Sequence, residues 1–202
     1  MKLYSAPASP FVRKVTVALH ETGLLKSVEI VPVTISPIAP GDTVPSRNPL
    51  GKIPALEREN GSTLYDSRVI TRYIDSLKPG KLYPRAPALW DTLVLEATAD
   101  GLMDAAVSMA YEGRVRPAEM VYSPWLDAQW LKIDRSLSAL ESRWMAHLHG
   151  KVDMGVLGVA IALEYIDFRH GVRDWRANHA DLAVWHAEMA KRPSLAATQP
   201  QG

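Results

Sequence analysis

Every stretch that reads as β-strand lies before Asp66, and everything beyond Tyr83-Pro84-Arg85 reads as helix. This division limits the chain to a small α/β unit followed by an all-helical unit. Residues 2–4 are short and apolar. Ser9-Pro10 then opens a helix: serine caps, and proline at the first helical position wastes no useful N–H. Phe11, Val15, Ala18 and Leu19 form its stripe, and Gly23 ends it. Val28, Ile30 and Val33 predict a second strand, followed by a proline-rich loop. Ile53 to Leu56 and Ser62 to Tyr65 predict two strands of a hairpin turning at Asn60-Gly61. Asp66 caps a helix carrying Val69, Ile70, Tyr73, Ile74 and Leu77, and Lys78-Pro79-Gly80-Lys81 breaks it.

Beyond the linker, Trp90, Val94, Ala97 and Gly101 begin a long helix. Leu126, Trp130, Ile133, Leu137, Leu140 and Trp144 step by 4, 3, 4, 3 and 4 from a Ser123-Pro124 start, the pattern of a buried helical stripe. Met154 to Leu163 is apolar nearly all round, as at the centre of a bundle. A last helix is expected from Asn178 to Lys191, stopped by Pro193. Trp125, Trp130, Trp144, Trp175 and Trp185 read as packing residues.

Composition excludes several functions. The 23 Lys and Arg balance 22 Asp and Glu, without the positive field that phosphate backbones require, so no nucleic acid partner is expected. The apolar run from Met154 to Leu163 is about half the ~20 residues that cross a bilayer, and the N-terminus lacks the apolar core of a signal peptide. A cytoplasmic protein with no membrane partner is expected. Cysteine is absent, so the protein has no disulfide, thiolate metal site or cysteine nucleophile, and any thiol chemistry uses a ligand's thiol. The histidines, including His147 and His149, show no metal-ligand spacing on a helix face, and no metal is expected.

Ser9 alone is a helix cap. Its company gives it more meaning. In Asn48-Pro49-Leu50-Gly51-Lys52-Ile53-Pro54-Ala55-Leu56, a proline opening a strand would waste a ladder donor and suggests a cis bond. Such a turn leaves the backbone of Ile53 free to pair with an extended peptide. Asp66-Ser67 at a helix N-terminus offers a carboxylate for an ammonium group, and an N–H and a hydroxyl for a carboxylate. Together these features describe a site for a small thiol peptide.

On S-P-F-V-R-K at 9–14, N-P-L-G-K-I-P-A-L at 48–56, D-S at 66–67 and R-P-S at 192–194, the chain resembles the glutathione transferase superfamily over nearly its whole length. It looks closest to the bacterial serine-type members, with some likeness to plant tau-type site residues. The resemblance implies a thioredoxin-like, glutathione-binding domain over residues 1–78, with a cis Ile53-Pro54 bond. It also implies an all-helical domain over 86–202 lining the electrophile site, a homodimer, and a role in detoxification. Glutathione is the implied co-substrate. Ser9 would donate its hydroxyl proton to the glutathione sulfur, Lys52 would meet the glycyl carboxylate, and Ile53 beside Pro54 would pair with the cysteinyl backbone. Asp66 and Ser67 would hold the γ-glutamyl end.

The implied reaction is transfer of glutathione to an apolar electrophile in a pocket near Ser9, Met103, Val107 and Tyr111. Glutathione-dependent peroxidase, dehalogenase or isomerase chemistry starts from the same thiolate, and a non-catalytic binding or scaffold protein is the alternative of another class. Tyr4, at the end of the first strand, is the second candidate for the thiol-activating hydroxyl. Arg13 reads as a surface residue. Asp100 and Asp104 read as solvated acids on one helix face; the resemblance puts that helix at the cleft and dimer interface, where an acid can reach the neighbour's γ-glutamyl amine. Two departures stand out. Asp66 occupies a position where many members have glutamate. Asp153-Met154-Gly155-Val156 replaces the usual Ser/Thr-x-x-Asp capping arrangement, which predicts a weakened helix start.

Overall fold

A computed structural model describes residues 1–80 and 82–201; Lys81, in the expected linker, and Gly202, at the end of the expected helical domain, lie outside them. All four strands precede residue 65: β1 (Lys2–Ser5), β2 (Glu29–Pro32), β3 (Ala55–Glu57) and β4 (Thr63–Leu64). They form one sheet in the order β2-β1-β3-β4. β1 runs parallel to β2, with Leu3 opposite Ile30, and antiparallel to β3, with Leu3 opposite Leu56. The parallel pair requires a crossover, which α1 (Pro10–Thr22) supplies.

The end of α1 follows its sequence closely. Gly23 is left-handed at φ 72°, its N–H reaches the carbonyl of His20 at 3.1 Å, and the Leu24 N–H reaches Leu19 at 2.9 Å. This paired arrangement satisfies two otherwise orphaned carbonyls. The β3–β4 hairpin turns differently from a two-residue Asn-Gly loop. The Gly61 N–H closes on the Arg58 carbonyl at 2.9 Å, and only Gly61 takes positive φ, at 82°. That is the three-residue form with a left-handed glycine. The third strand also starts later than expected, at Ala55; Ile53-Pro54, a cis bond, stands outside the ladder.

The rest is helical: α2 (Ser67–Leu77), α3 (Leu89–Val115), α4 (Ser123–Arg143), α5 (Met145–Leu148), α6 (Met154–His170), α7 (Ala180–Met189) and α8 (Pro193–Ala196). Helix α6 is buried from Met154 to Leu163. It packs on α3, whose Leu95, Ala99, Leu102, Met103 and Ala106 face the core. A Cβ at Gly155 would lie 2.7 Å from both the Leu95 Cβ and the Thr92 carbonyl oxygen; only glycine permits this approach. Ile133, Leu137 and Leu140 of the α4 stripe are buried, and Leu126, Trp130 and Trp144 pack at its edges. Ser123 begins α4 without making a side-chain cap. Trp175 and Trp185 are buried, whereas Trp125 is half-buried.

The start of α6 is not weakened. Asp153 accepts the Val156 N–H at 3.0 Å, the Thr92 hydroxyl at 2.6 Å and a contact from His147 Nε2 at 2.9 Å. The Met154 N–H donates to the Leu82 carbonyl at 2.9 Å. Tertiary partners replace the reciprocal cap. Arg13 is buried, correcting its reading as a surface residue. It pairs with Glu164 of α6 and donates to the Leu195 carbonyl at 3.0 Å and to Thr198 at 3.3 Å. The Arg-Pro-Ser segment clamps back on α1: Arg192 reaches Glu21 at 2.6 and 2.7 Å, and Ser194 does so at 2.5 Å.

Candidate functional site

The ends of three segments meet where the sheet half faces α3. Ser9 caps α1, and its Oγ accepts the Val12 N–H at 3.3 Å. The Asn48–Pro54 loop approaches from one side. Buried Asn48 fixes it, donating to the Lys52 carbonyl at 2.8 Å and accepting the Leu50 N–H at 3.0 Å, while Gly51 turns at φ 62°. β3 pairing begins beyond Pro54, so the backbone of Ile53 is not part of the ladder. Asp66 caps α2, accepting the Arg68 N–H at 3.0 Å, with Ser67 buried beside it.

These segments frame two adjoining cavities. A recess of about 200 Å³ is lined by Lys52, Ile53, Pro54, Asp66, Ser67 and Asp100, among others. A larger cleft of about 530 Å³ is lined by Ser9, Ile35, Val107, Tyr111 and Tyr165, among others. Phe11, Lys52, Ile53 and Asp104 belong to both. All six expected site residues therefore border these two adjoining cavities. Met103 does not: it is fully buried in the core, whereas Val107 and Tyr111 line the cleft as expected.

Tyr4 is turned away from this space. It packs with Val12, Val44, Ile53 and Ala55. Its hydroxyl donates to Glu57 at 2.9 Å and accepts from Arg47 at 3.0 Å. With its hydroxyl engaged on both sides, Tyr4 is not positioned to serve a ligand in the cleft.

Behind the recess lies a chain of charges. Lys14, with no solvent exposure, lies 2.8 Å from Glu96 and 2.8 Å from Asp100. Arg68 bridges Asp100 at 3.5 Å and Asp66 at 3.2 Å. Glu96 accepts the Tyr83 hydroxyl at 2.8 Å. Burial pushes the Asp100 carboxyl up, and the Lys14 ammonium opposes this. Asp100 is thus a buried, paired acid and not a solvated one. Asp104 is exposed at the junction of the cavities; partial desolvation raises its carboxyl, and Lys52 and Arg68 pull it down. Sequence reasoning missed Lys14, although a signal was present: it stands three residues after Phe11 and four before Ala18, on the apolar stripe of α1. Among the described residues no three His, Asp or Glu side chains gather as a metal site.

Residues 3–82 match the family model of the glutathione S-transferase N-terminal domain. The uncharacterised GST-like protein YibF of Escherichia coli K12 is 34% identical over 99% of this chain and 98% of its own length. A glutathione transferase family member from Pseudomonas fluorescens Pf-5, solved with bound glutathione, is 47% identical, with a TM-score of 0.97 over 100% of this chain and 99% of its own. A second structure from that organism, holding S-(propanoic acid)-glutathione, gives 46% identity and a TM-score of 0.92 over 100% of both chains. The small mixed sheet with its helices is the thioredoxin-like half of this fold, and the helices from α3 onward are its second half. The chain belongs to the glutathione S-transferase family.

Proposed function

We propose that the protein is a glutathione transferase of the serine type, which binds glutathione in the recess and passes its sulfur to an electrophile in the larger cleft. The observation that carries this reading is that the two cavities adjoin at Lys52 and Ile53, which line both, with the Ser9 hydroxyl and the start of α1 on the cleft side. The Lys52 ammonium suits the glycyl carboxylate. The unpaired backbone of Ile53, beside cis Pro54, suits the cysteinyl amide by a short form of strand addition. Asp66, Ser67 and the N-terminus of α2 suit the γ-glutamyl ammonium and carboxylate. The Pseudomonas fluorescens relative was solved with glutathione and with a glutathione thioether, and we take the same co-substrate here. Residues 1–78 would then be the glutathione-binding domain and 86–202 the helical domain. The reading carries a cytoplasmic, detoxifying role.

A free thiol with pKa near ~8.5 is only a few per cent thiolate at pH 7. Lowering that pKa by about two units takes about 2.7 kcal/mol of preferential thiolate stabilisation. A hydroxyl hydrogen bond from Ser9 and the positive end of α1 are the groups available for it. Ser9 gives up no bond in this scheme. The thiolate electron pair forms the S–C bond, and the displaced pair leaves with the leaving group or moves onto the adjacent carbon, which takes a proton from water.

We further propose a homodimer built on α3. Trp90, Val94, Ala97 and Gly101 form an exposed stripe along it, Trp90 being 62% exposed. The function is tested by titrating the ultraviolet absorbance of the bound glutathione thiol. Ionisation a full unit or more below free glutathione is expected. Binding without that shift would leave a storage or scaffold protein, and no binding would leave only the fold.

A further inference from the structure

The larger cleft is electrostatically lopsided. Its acid, Asp104, lies at the end shared with the recess, where Lys52 and Arg68 offset it. From Asp104 the lining residues climb α3 through Val107, Ser108 and Tyr111 to Arg114, about 15 Å along the axis at the usual rise per residue. Arg169, in the last turn of α6, lines the same cleft. The far end therefore carries two guanidiniums and the phenols of Tyr111 and Tyr165, while the middle is apolar.

Both guanidiniums line the cleft, Arg114 as an exposed residue. The acid nearest Arg114 in sequence, Glu112, is taken by Arg116 at 2.7 Å and by the Tyr122 N–H at 3.3 Å. Arg169 is half-buried, with its guanidinium 3.8 Å from the centroid of the Phe168 ring and hydrogen-bonded to the Tyr165 hydroxyl. Burial pushes the Tyr165 phenol up, keeping it a proton donor. A stacked, planar guanidinium beside a second one and a phenol O–H suits a carboxylate, which takes paired N–H donors. There is also a kinetic reason for positive charge here. An anionic electrophile approaching a thiolate meets repulsion, and cationic groups at the far wall offset it.

We propose that this end of the cleft is an acid-group pocket, so that the electrophile conjugated here has an apolar body and a carboxylate held by Arg114 and Arg169. The inference rests on the glutathione transferase reading above. It narrows the apolar electrophile of that reading to a carboxylic acid.

Binding of two product-like probes tests it without requiring turnover. Calorimetry compares S-(4-carboxybenzyl)glutathione with its neutral isostere S-(4-carbamoylbenzyl)glutathione, with glutathione alone as the reference. The carboxylate conjugate is expected to bind about tenfold tighter, with a ratio that shrinks as salt is raised. Arg114 is exposed, so Arg114→Gln tests the pocket at little cost to folding. It should bring the ratio down to within about twofold of unity, with Arg114→Lys restoring part of it. Equal binding of the two conjugates by the wild type overturns the pocket but leaves the transferase reading standing. So does a wild-type preference that survives both Arg114→Gln and Arg169→Gln. Failure of glutathione itself to bind takes down both.

Discussion

The ammonium of Lys14 on α1 lies 2.8 and 3.0 Å from the two carboxylate oxygens of Asp100 on α3, and all three atoms are buried. With Glu96 at 2.8 Å, this is an ion cluster joining the sheet half to the helical half directly behind the smaller recess. Removing one member of a buried ion group leaves uncompensated charge and costs about 3–5 kcal/mol. Lys14→Met, which keeps most of the unbranched side chain, is therefore expected to lower the unfolding free energy measured in urea by that amount. Adding Asp100→Asn to it should cost less than the two single changes summed. Strict additivity would mean that the pair is not coupled.

Under the proposed function Ser9 has two separable roles. As a cap it holds the Val12 N–H at 3.3 Å, and replacing a capping serine costs about 1 kcal/mol with alanine but only a few tenths with glycine. As a thiolate donor it is lost equally in both variants. Ser9→Ala and Ser9→Gly should thus differ in stability, keep glutathione affinity within a few fold, and lose turnover together by about a hundredfold. Thermal unfolding and conjugation kinetics measure the two effects side by side. Full turnover in either variant would remove Ser9 from the chemistry.

The exposed α3 stripe makes the proposed dimer testable by one substitution. Light scattering should give twice the 22.3 kDa chain mass for the wild type. Val94, half exposed on that stripe, becomes a buried, unpaired charge as Val94→Arg in a dimer but a harmless surface residue in a monomer. The variant is expected to run at the chain mass with its fold intact. A wild type already at the chain mass defeats the proposal.

Features written in local chemistry were legible in the sequence. Ser9-Pro10 and Gly23 bound α1 within a residue, Asp66 caps α2, and the apolar run from Met154 becomes the buried centre of the helices. Pro54 at a strand mouth signalled both the special bond and the free edge beside it. Features set by distant partners were not legible. Arg13 reads as a surface residue until Glu164, some 150 positions away in sequence, is folded against it. Asp153-Met154-Gly155-Val156 reads as a weakened helix start because two partners of Asp153, Thr92 and His147, belong to other elements. The cationic end of the cleft needed α3 and α6 side by side before Arg114 and Arg169 could be read together.

The closest approach of those two helices gives a sharp stability test. A methyl at Gly155 would stand 2.7 Å from the Leu95 Cβ and from the Thr92 carbonyl oxygen, and backbone cannot yield as a flexible side chain can. Gly155→Ala is expected to cost about 1–3 kcal/mol through overpacking, despite alanine's better helix propensity. Chemical denaturation measures it, and a neutral or stabilising result would mean that α3 and α6 stand further apart than described.

His186 should set part of the acid sensitivity. It is buried against Trp175 with Asp167, Arg176 and Arg13 nearby, and desolvation pushes its pKa down to about 4. The folded imidazole is thus neutral at pH values where the unfolded one, near ~6.5, takes up a proton. As the pH falls from about 6.5 toward 4, the unfolded chain binds the extra proton first, and stability drops by about 3 kcal/mol in total. Asp100 and Glu164, whose carboxyls burial raises, contribute in the opposite sense at the acid end and mask part of the slope. Comparison with His186→Phe isolates the histidine, because those carboxyls are common to both proteins. The variant is expected to lose less stability than the wild type between pH 6.5 and 4, and parallel curves would show that His186 titrates alike in the folded and unfolded chain.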